Sequence, residues 1–168
     1  VNPYMCQVAA EVAEGVRLHP VCNREYIQQI ILPVIEPYRQ PGFEVCIKPL
    51  IATAPTEDVL QQRIKVARQR LAFYCSTPAY AGAFSVFGLE SLCEEMTFLS
   101  RQQRWDEMAQ CIDDELLHKC VLVALYDDLA SAIETRYGDC IDRIEVSIPV
   151  NTQEDSEILS NLVKTLRT

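Results

Sequence analysis

The chain begins with Asn2-Pro3-Tyr4-Met5, continues as an apolar helical stretch, and then reads Gly15-Val16-Arg17-Leu18-His19-Pro20. An Asn-Pro pair is a favourable helix start, because Asn caps free N–H groups and Pro suits the first helical position. Gly15 suits the position just past the last helical turn. The four residues after it alternate apolar and polar side chains, which is typical of a short strand. This segment therefore predicts a helix that leads directly into a β-strand.

The rest of the chain continues this succession of helices and strands. Apolar residues spaced by three and four predict a helix after Asn23, which Pro33 should kink or end. Val45 and Ile47 alternate with polar neighbours and predict a second strand, whose pairing Pro49 should limit, and Ile144–Ile148 predicts a third. The other predicted helices begin at Thr56, fill most of 76–125, run from about Asp127 to Tyr137, and close the chain. Strands separated by helices imply parallel pairing, so we expect a single α/β domain over residues 1–168 with about three parallel strands.

Size, charge and cysteine content narrow the possible functions. The chain has 168 residues, which is enough for one domain with a core. Its net charge of -9 argues against nucleic-acid binding, because such surfaces concentrate Lys and Arg. No apolar run is long enough to span a bilayer and no secretion signal is recognisable, so no membrane partner is expected. Eight cysteines without a C-x-x-C pair are typical of buried thiols in a reducing cytoplasm, where we expect this protein.

Four segments, in this order, carry a likeness to a known family. They are Asn2-Pro3-Tyr4-Met5, Phe73-Tyr74-Cys75-Ser76-Thr77-Pro78-Ala79-Tyr80, Asp113-Asp114-Glu115-Leu116-Leu117 and Arg136-Tyr137-Gly138-Asp139-Cys140-Ile141-Asp142-Arg143. Together they resemble the C-terminal part of the luciferase-like flavin or deazaflavin oxidoreductases (the bacterial luciferase-like monooxygenase superfamily), and the deazaflavin-dependent branch above all. Members of that family are (β/α)8 barrels.

The resemblance covers residues 1–150 and implies a partial (β/α)8 TIM barrel. Strands six, seven and eight would be Val16–His19, Val45–Ala52 and Ile144–Ile148, with a helical insertion at 76–125 before the last strand. A complete barrel usually needs about 250 residues. Because this chain is shorter and starts at Val1 rather than Met, we expect an excerpt or a processed product that lacks the first five strands.

The resemblance also implies a function. Family members bind FMN or an 8-hydroxy-5-deazaflavin coenzyme at the C-terminal ends of the barrel strands. They carry out hydride transfer or monooxygenation on a small organic substrate. With the front strands absent, we expect this chain to be inactive by itself. The alternative is a non-enzymatic scaffold or assembly protein derived from the same fold. In either case the open sheet edges predict a homo-oligomer.

Candidate coenzyme-binding residues lie at the start of the first helix and after the first strand. Asn2, Pro3, Tyr4 and Met5 stand where the family has Gly-Pro-Lys-Met, and free N–H groups at a helix start favour a phosphate. The alternative is that Asn2 only caps the helix. His19 ends a predicted strand, where barrels place functional groups, so it could contact coenzyme or donate a proton. A hydrogen-bonded loop histidine is the alternative there.

Two further sets of polar residues have more than one interpretation, and the sequence does not identify a catalytic residue. Arg17, Lys48 and Glu145 lie mid-strand and could pair inside a barrel, or form a solvated face on an open sheet. Asp114 and His118 are one helical turn apart, but nothing supplies further metal ligands, so no metal is expected.

The Ser-Thr-Pro run of the second family segment has a structural reading of its own. It predicts a helix stop and restart, with a hydroxyl capping the new turn.

Overall fold

The computed structural model describes residues 1–148 and 150–166. Its helices are α1 Pro3–Val12, α2 Arg24–Tyr26, α3 Leu32–Ile35, α4 Glu57–Cys75, α5 Gly82–Ser85, α6 Glu90–Arg101, α7 Trp105–Gln110, α8 Asp114–Cys120, α9 Leu129–Tyr137 and α10 Gln153–Thr165. Its strands are β1 Gly15–Leu18, β2 Glu44–Ile47, β3 Leu50–Ala54, β4 Val121–Leu125 and β5 Arg143–Ile144. None of these helices is long and apolar enough to cross a membrane.

The strands form two parallel sheets, as expected for an α/β fold. The first sheet has the order β1-β2-β5 and the second pairs β3 with β4. In the first sheet Gly15 lies opposite Glu44, and Cys46 lies opposite both Arg17 and Arg143. Because β3 follows β2 after only two residues, the second sheet begins at the C-terminal edge of the first.

The predicted strand Val45–Ala52 is wrong as one element, because the structure splits it into β2 and β3. Lys48 and Pro49 separate the two pieces, and each piece pairs in a different sheet. Proline has no N–H to donate to a ladder, so pairing with the first sheet stops there.

The predicted strand Ile144–Ile148 is also longer than the observed one. β5 has two residues, and one further hydrogen bond runs from the Glu145 N–H to the Ile47 carbonyl at 2.8 Å. Beyond that point the neighbouring chain has reached Pro49 and turned away into β3. The last strand therefore ends where its partner ends.

Strand β4 was not predicted, since it falls in the region 76–125 that was expected to be mostly helical. Helices α5 to α8 do fill most of that region. Val121–Leu125 is apolar at every position, and the strand is largely buried in the sheet that it forms with β3. A strand buried on both faces lacks the alternation that marks a half-exposed one.

The helix after Asn23 continues past Pro33 instead of stopping there. A π-helical turn, Ile27–Ile31, joins α2 to α3, and the Leu32 N–H bonds the Ile27 carbonyl five residues back. The wider turn just before the proline accommodates its missing N–H without ending the helix.

The first sheet has one buried face and one charged face. Leu18, Val45 and Ile47 are buried in the core, and α1 packs on β1 and α3. The intervening side chains of the strands point to the opposite face, where they are partly exposed. The core therefore holds the sheet from one side and presents polar side chains on the other.

Candidate functional site

His19 follows the C-terminal end of β1 and lies among aromatic rings. Its ring centroid is 4.6 Å from that of Tyr80 and 5.2 Å from that of Tyr74. Its Nδ1 accepts a hydrogen bond from the Val21 N–H at 3.2 Å, which places the imidazole proton on Nε2. Burial lowers the pKa of His19, so the neutral ring is favoured. The loop thus presents one N–H donor beside two tyrosines.

Tyr74 and Tyr80 belong to the segment that carries the most specific family likeness. Tyr74 lies in the last turn of α4 and Tyr80 ends a 3-10 turn, Pro78–Tyr80. No pattern in the sequence predicts that they contact His19, which lies more than fifty residues earlier in the chain. The fold creates this cluster by returning α4 to the edge where β1 ends.

The Ser-Thr-Pro run does stop one helix and start the next turn, as predicted. The hydroxyls of Ser76 and Thr77 donate to the Phe73 carbonyl at 2.8 and 3.1 Å, so they satisfy the C-terminal end of α4. No side-chain cap precedes the turn at Pro78. The prediction of a hydroxyl cap on the new turn is therefore wrong.

The start of α1 has few backbone donors left for a ligand. The Asn2 side chain accepts from the Met5 N–H at 3.3 Å, and the Asn2 carbonyl accepts from the Cys6 N–H at 3.2 Å. Pro3 has no N–H. Only the Tyr4 N–H remains in the first turn without a partner in the described part of the chain, and the side chains of Tyr4 and Met5 are exposed. Whether a phosphate binds here stays a prediction.

The α1 start and the His19 loop lie at the same end of the first sheet. The buried Tyr26 hydroxyl donates to the Val1 carbonyl at 2.7 Å, which ties the residue before Asn2 to the helix that follows the His19 loop. All five predicted coenzyme-binding residues thus lie at the C-terminal end of β1. Barrel enzymes bind ligands at this end of their strands.

Arg17, Lys48 and Glu145 do come together on the charged face, as one of the two interpretations predicted. Glu145 pairs with Arg17 through one carboxylate oxygen and with Lys48 through the other, at 3.2 Å. Their side chains are 58, 38 and 43 % exposed, so the pairs contribute little to stability. We therefore describe the charged face as a partly solvated ion-pair layer.

Asp114 and His118 have other contacts in the structure. Asp114 pairs with Arg68 on α4, and the His118 carbonyl accepts from Arg136 at 2.7 Å. Within residues 1–148 and 150–166, no group of three or more His, Cys, Asp or Glu could hold a metal ion.

The eight cysteines are free thiols, and six of them are buried. Cys46 and Cys111 are partly exposed. The expectation of mostly buried thiols is thus confirmed. Cys46 lies between Arg17 and Arg143 on the charged face.

Comparison with known proteins gives relatives of unknown function and one informative fold. No family model matches the chain. Uncharacterized proteins of Mycobacterium tuberculosis and Mycobacterium bovis are 27 % identical over 173 residues, which is 99 % of this chain and 50 % of each relative. The chain spans about half the length of these curated relatives.

A solved structure, the coenzyme F420-dependent tetrahydromethanopterin reductase of Methanopyrus kandleri, matches with a TM-score of 0.69. The chain shares its fold with part of that reductase. The match covers 96 % of this chain and 46 % of the reductase, at 18 % sequence identity. It supports the predicted luciferase-like α/β fold. A closed barrel is not seen in the described residues, whose larger sheet has three strands.

Proposed function

We propose that this chain is the C-terminal portion of a luciferase-like oxidoreductase. It would use an 8-hydroxy-5-deazaflavin coenzyme or FMN for hydride transfer on a small organic substrate. The observation that carries the proposal is the fold shared, over 96 % of the chain, with a coenzyme F420-dependent reductase. F420 is a deazaflavin, which favours that coenzyme over FMN.

The residues at the C-terminal end of β1 fit one side of such a coenzyme. The coenzyme itself would supply the hydride-accepting or hydride-donating ring. His19 Nε2–H can donate to an oxygen of the ring system, and Tyr74 and Tyr80 fix the orientation of the imidazole. The Tyr4 N–H at the start of α1 is the donor available to a phosphate.

The rest of the site would come from strands outside this chain. A barrel has eight strands, and both outer edges of the three-stranded sheet are unpaired within the described residues. Because the chain spans about half of its relatives, we propose that the missing half closes the barrel. The isolated chain is then expected to show little or no activity, and to self-associate through its open edges in light scattering.

A titration tests the proposal. The chain is joined to the half of the Mycobacterium tuberculosis relative that it does not match, and this joined protein is titrated with each coenzyme by fluorescence. We expect saturable binding at concentrations on the order of micromolar. The chain alone should bind at least about tenfold more weakly, because fewer contacts are present.

Substitution assigns the binding to the proposed residues. His19→Ala in the joined protein should weaken coenzyme binding by about tenfold, since a partly buried side chain with its N–H donor is lost. His118→Ala, which removes an exposed histidine of α8, is the matched control and should leave binding unchanged. Tight binding with turnover by the chain alone would show that the site is already complete.

The scaffold alternative has one observation in its favour. The Asn2 side chain occupies a donor at the start of α1 that a coenzyme phosphate would use, and Tyr4 replaces the lysine of the family segment. A joined protein that is folded by circular dichroism but binds neither coenzyme would establish that alternative.

A further inference from the structure

A cleft of about 350 Å³ lies between β3, α4 and the segment after β5. It opens at the C-terminal ends of β2 and β5, next to the charged face but separate from the His19 cluster. Its lining combines basic, hydroxyl and apolar side chains: Lys48, Leu50, Thr53, Arg63, Arg70 and Ser147. Its volume falls in the range of small-molecule sites.

Two arginines of the cleft are not neutralised. Arg63 and Arg70 are seven residues apart on α4, so they project from one face of the helix, roughly 10 Å apart along its axis. Neither forms an ion pair within the part of the chain that the structure describes. Arg63 does influence the carboxylate of Asp155, but that carboxylate is held mainly by the N–H groups of Asn151 and Thr152. Lys48 is different, because Glu145 already pairs with it.

A buried hydroxyl also lines the cleft. Thr53 is only 5 % exposed, and its Oγ1 has no hydrogen-bond partner among the described residues. Ile51 and Thr53 alternate with buried Ala52, so both point to the side of β3 that lines the cleft with α4. A buried hydroxyl without a partner is unfavourable, and a ligand oxygen in the cleft would relieve that cost.

These features together indicate which chemical class of ligand the cleft would bind. Two uncompensated guanidinium groups match the two negative charges of a phosphate monoester, and their forked donors suit its tetrahedral oxygens. Thr53 and Ser147 add neutral donors. The apolar side chains of Leu50, Ile51 and Val66 would contact the organic part of the molecule.

We propose that this cleft binds the phosphate group of a small phosphorylated organic molecule. The proposal rests on the proposed function only in that the coenzyme is one of two sources of the phosphate, because the cleft is lined entirely by residues of this chain. The phosphate could belong to the coenzyme or to a separate phosphorylated substrate. Both sources offer the same group to the same residues.

Calorimetric titration of the 168-residue chain with inorganic phosphate tests the cleft without any flavin. We expect saturable binding that falls by about tenfold in Arg63→Gln and again in Arg70→Gln, because each change removes a charge-assisted donor. Lys65→Gln is the matched control, since it removes one positive charge from another face of the same helix. Phosphate binding that is absent, or equal in the double variant and in the control, overturns the proposal.

Thr53→Val is an independent test, because it distinguishes a role of Thr53 in phosphate binding from a purely structural role. Valine has nearly the shape of threonine but no hydroxyl to leave unsatisfied, so the free protein should be at least as stable to urea as wild type. Phosphate affinity should nevertheless fall, by about threefold to tenfold. A variant that binds phosphate as tightly as wild type would remove Thr53 from the site and contradict the proposal as stated.

FMN and riboflavin, titrated into the joined protein, distinguish the two sources of phosphate. If the coenzyme phosphate occupies the cleft, Arg63→Gln weakens FMN binding and spares riboflavin binding. If a separate substrate occupies it, the variant spares both flavins while inorganic phosphate still binds in a cleft-dependent way. Either result supports the cleft. A failure of both flavins to bind would count against FMN as the coenzyme and would leave the deazaflavin to the titration described under the proposed function.

Discussion

Gly15→Ala should destabilise the chain by about 2–3 kcal/mol, because a side chain at this position collides with the neighbouring strand. A Cβ built on Gly15 would lie 2.5 Å from the Glu44 carbonyl oxygen, which is backbone and cannot rotate away. The two residues are opposite each other at the first rung of the β1–β2 pairing. Urea unfolding followed by circular dichroism measures the change.

Gly82→Ala is the control for this prediction. The nearest atom to a Cβ there is the Tyr26 hydroxyl at 3.7 Å, which is an ordinary contact. Gly82 begins α5, where alanine is the better helix former, so the free energy of unfolding should stay level or rise by up to about 1 kcal/mol. Equal unfolding midpoints for Gly15→Ala and wild type would contradict the observed close approach of β1 and β2.

Asn23→Asp should lower the free energy of unfolding by about 3 kcal/mol at neutral pH, since it disrupts a buried amide that is hydrogen-bonded through both its oxygen and its nitrogen. Asn23 is 2 % exposed. Its Oδ1 accepts from the Tyr26 N–H at 2.8 Å and its Nδ2 donates to the Ala83 carbonyl at 2.6 Å. The substitution keeps the acceptor but turns the donor into an oxygen facing another oxygen. It therefore loses the link between α2 and α5.

The pH dependence of this variant has a defined sign. Burial and the facing Ala83 carbonyl favour the protonated acid more than the single Tyr26 N–H favours the carboxylate, so we expect the folded-state pKa of the new carboxyl to lie above its unfolded value. Such a group contributes stability below its unfolded pKa and loses it as pH rises through the folded pKa. The difference in the free energy of unfolding between Asn23→Asp and wild type should therefore become smaller as the pH falls toward 4.

Asn2→Ala is the matched control, because Asn2 caps a helix at the surface instead of in the core. Its side chain accepts a longer bond, 3.3 Å, from the Met5 N–H. The expected cost is about 0.5–1 kcal/mol. If Asn23→Asp cost no more than Asn2→Ala, the buried link to Ala83 would be unimportant for stability.

Local signals in the sequence were enough to predict that a first helix and strand exist, although α1 ends at Val12 and Gly15 begins β1 instead of closing the helix. Asn2 does cap α1, and the alternation after Gly15 does mark β1. Where the predicted strands were wrong or missing, the cause was tertiary packing. Val121–Leu125 has no alternation because it is buried, and Pro49 signals a limit to pairing without revealing that the chain enters a second sheet.

The candidate site was predictable only where a strand pattern linked its residues. Arg17, Lys48 and Glu145 could be grouped because mid-strand residues on parallel neighbours share a face. The contact of His19 with Tyr74 and Tyr80 depends on where α4 ends in space, and no local spacing encodes that. The cleft that Thr53 lines likewise depends on how α4 packs over β3, which the sequence does not reveal.

We propose that the charged face of the first sheet, partly solvated in this chain, is the inner wall of a barrel that further strands complete. Cys46 reports on that face, because it is partly exposed between Arg17 and Arg143. Burial raises the pKa of Cys46, so alkylation is best followed above pH 8, with mass spectrometry identifying the labelled peptide. Cys111, also partly exposed but far from the charged face in the chain, serves as the internal control.

The deciding measurement is the rate of Cys46 alkylation in the dilute chain and in the joined protein. We expect Cys46 to react readily in the chain and to be protected by at least about a hundredfold once the other strands cover it. Cys111 should react at similar rates in both. Equal rates for Cys46 in the chain and in a folded joined protein would contradict the claim that this face is the inside of a barrel.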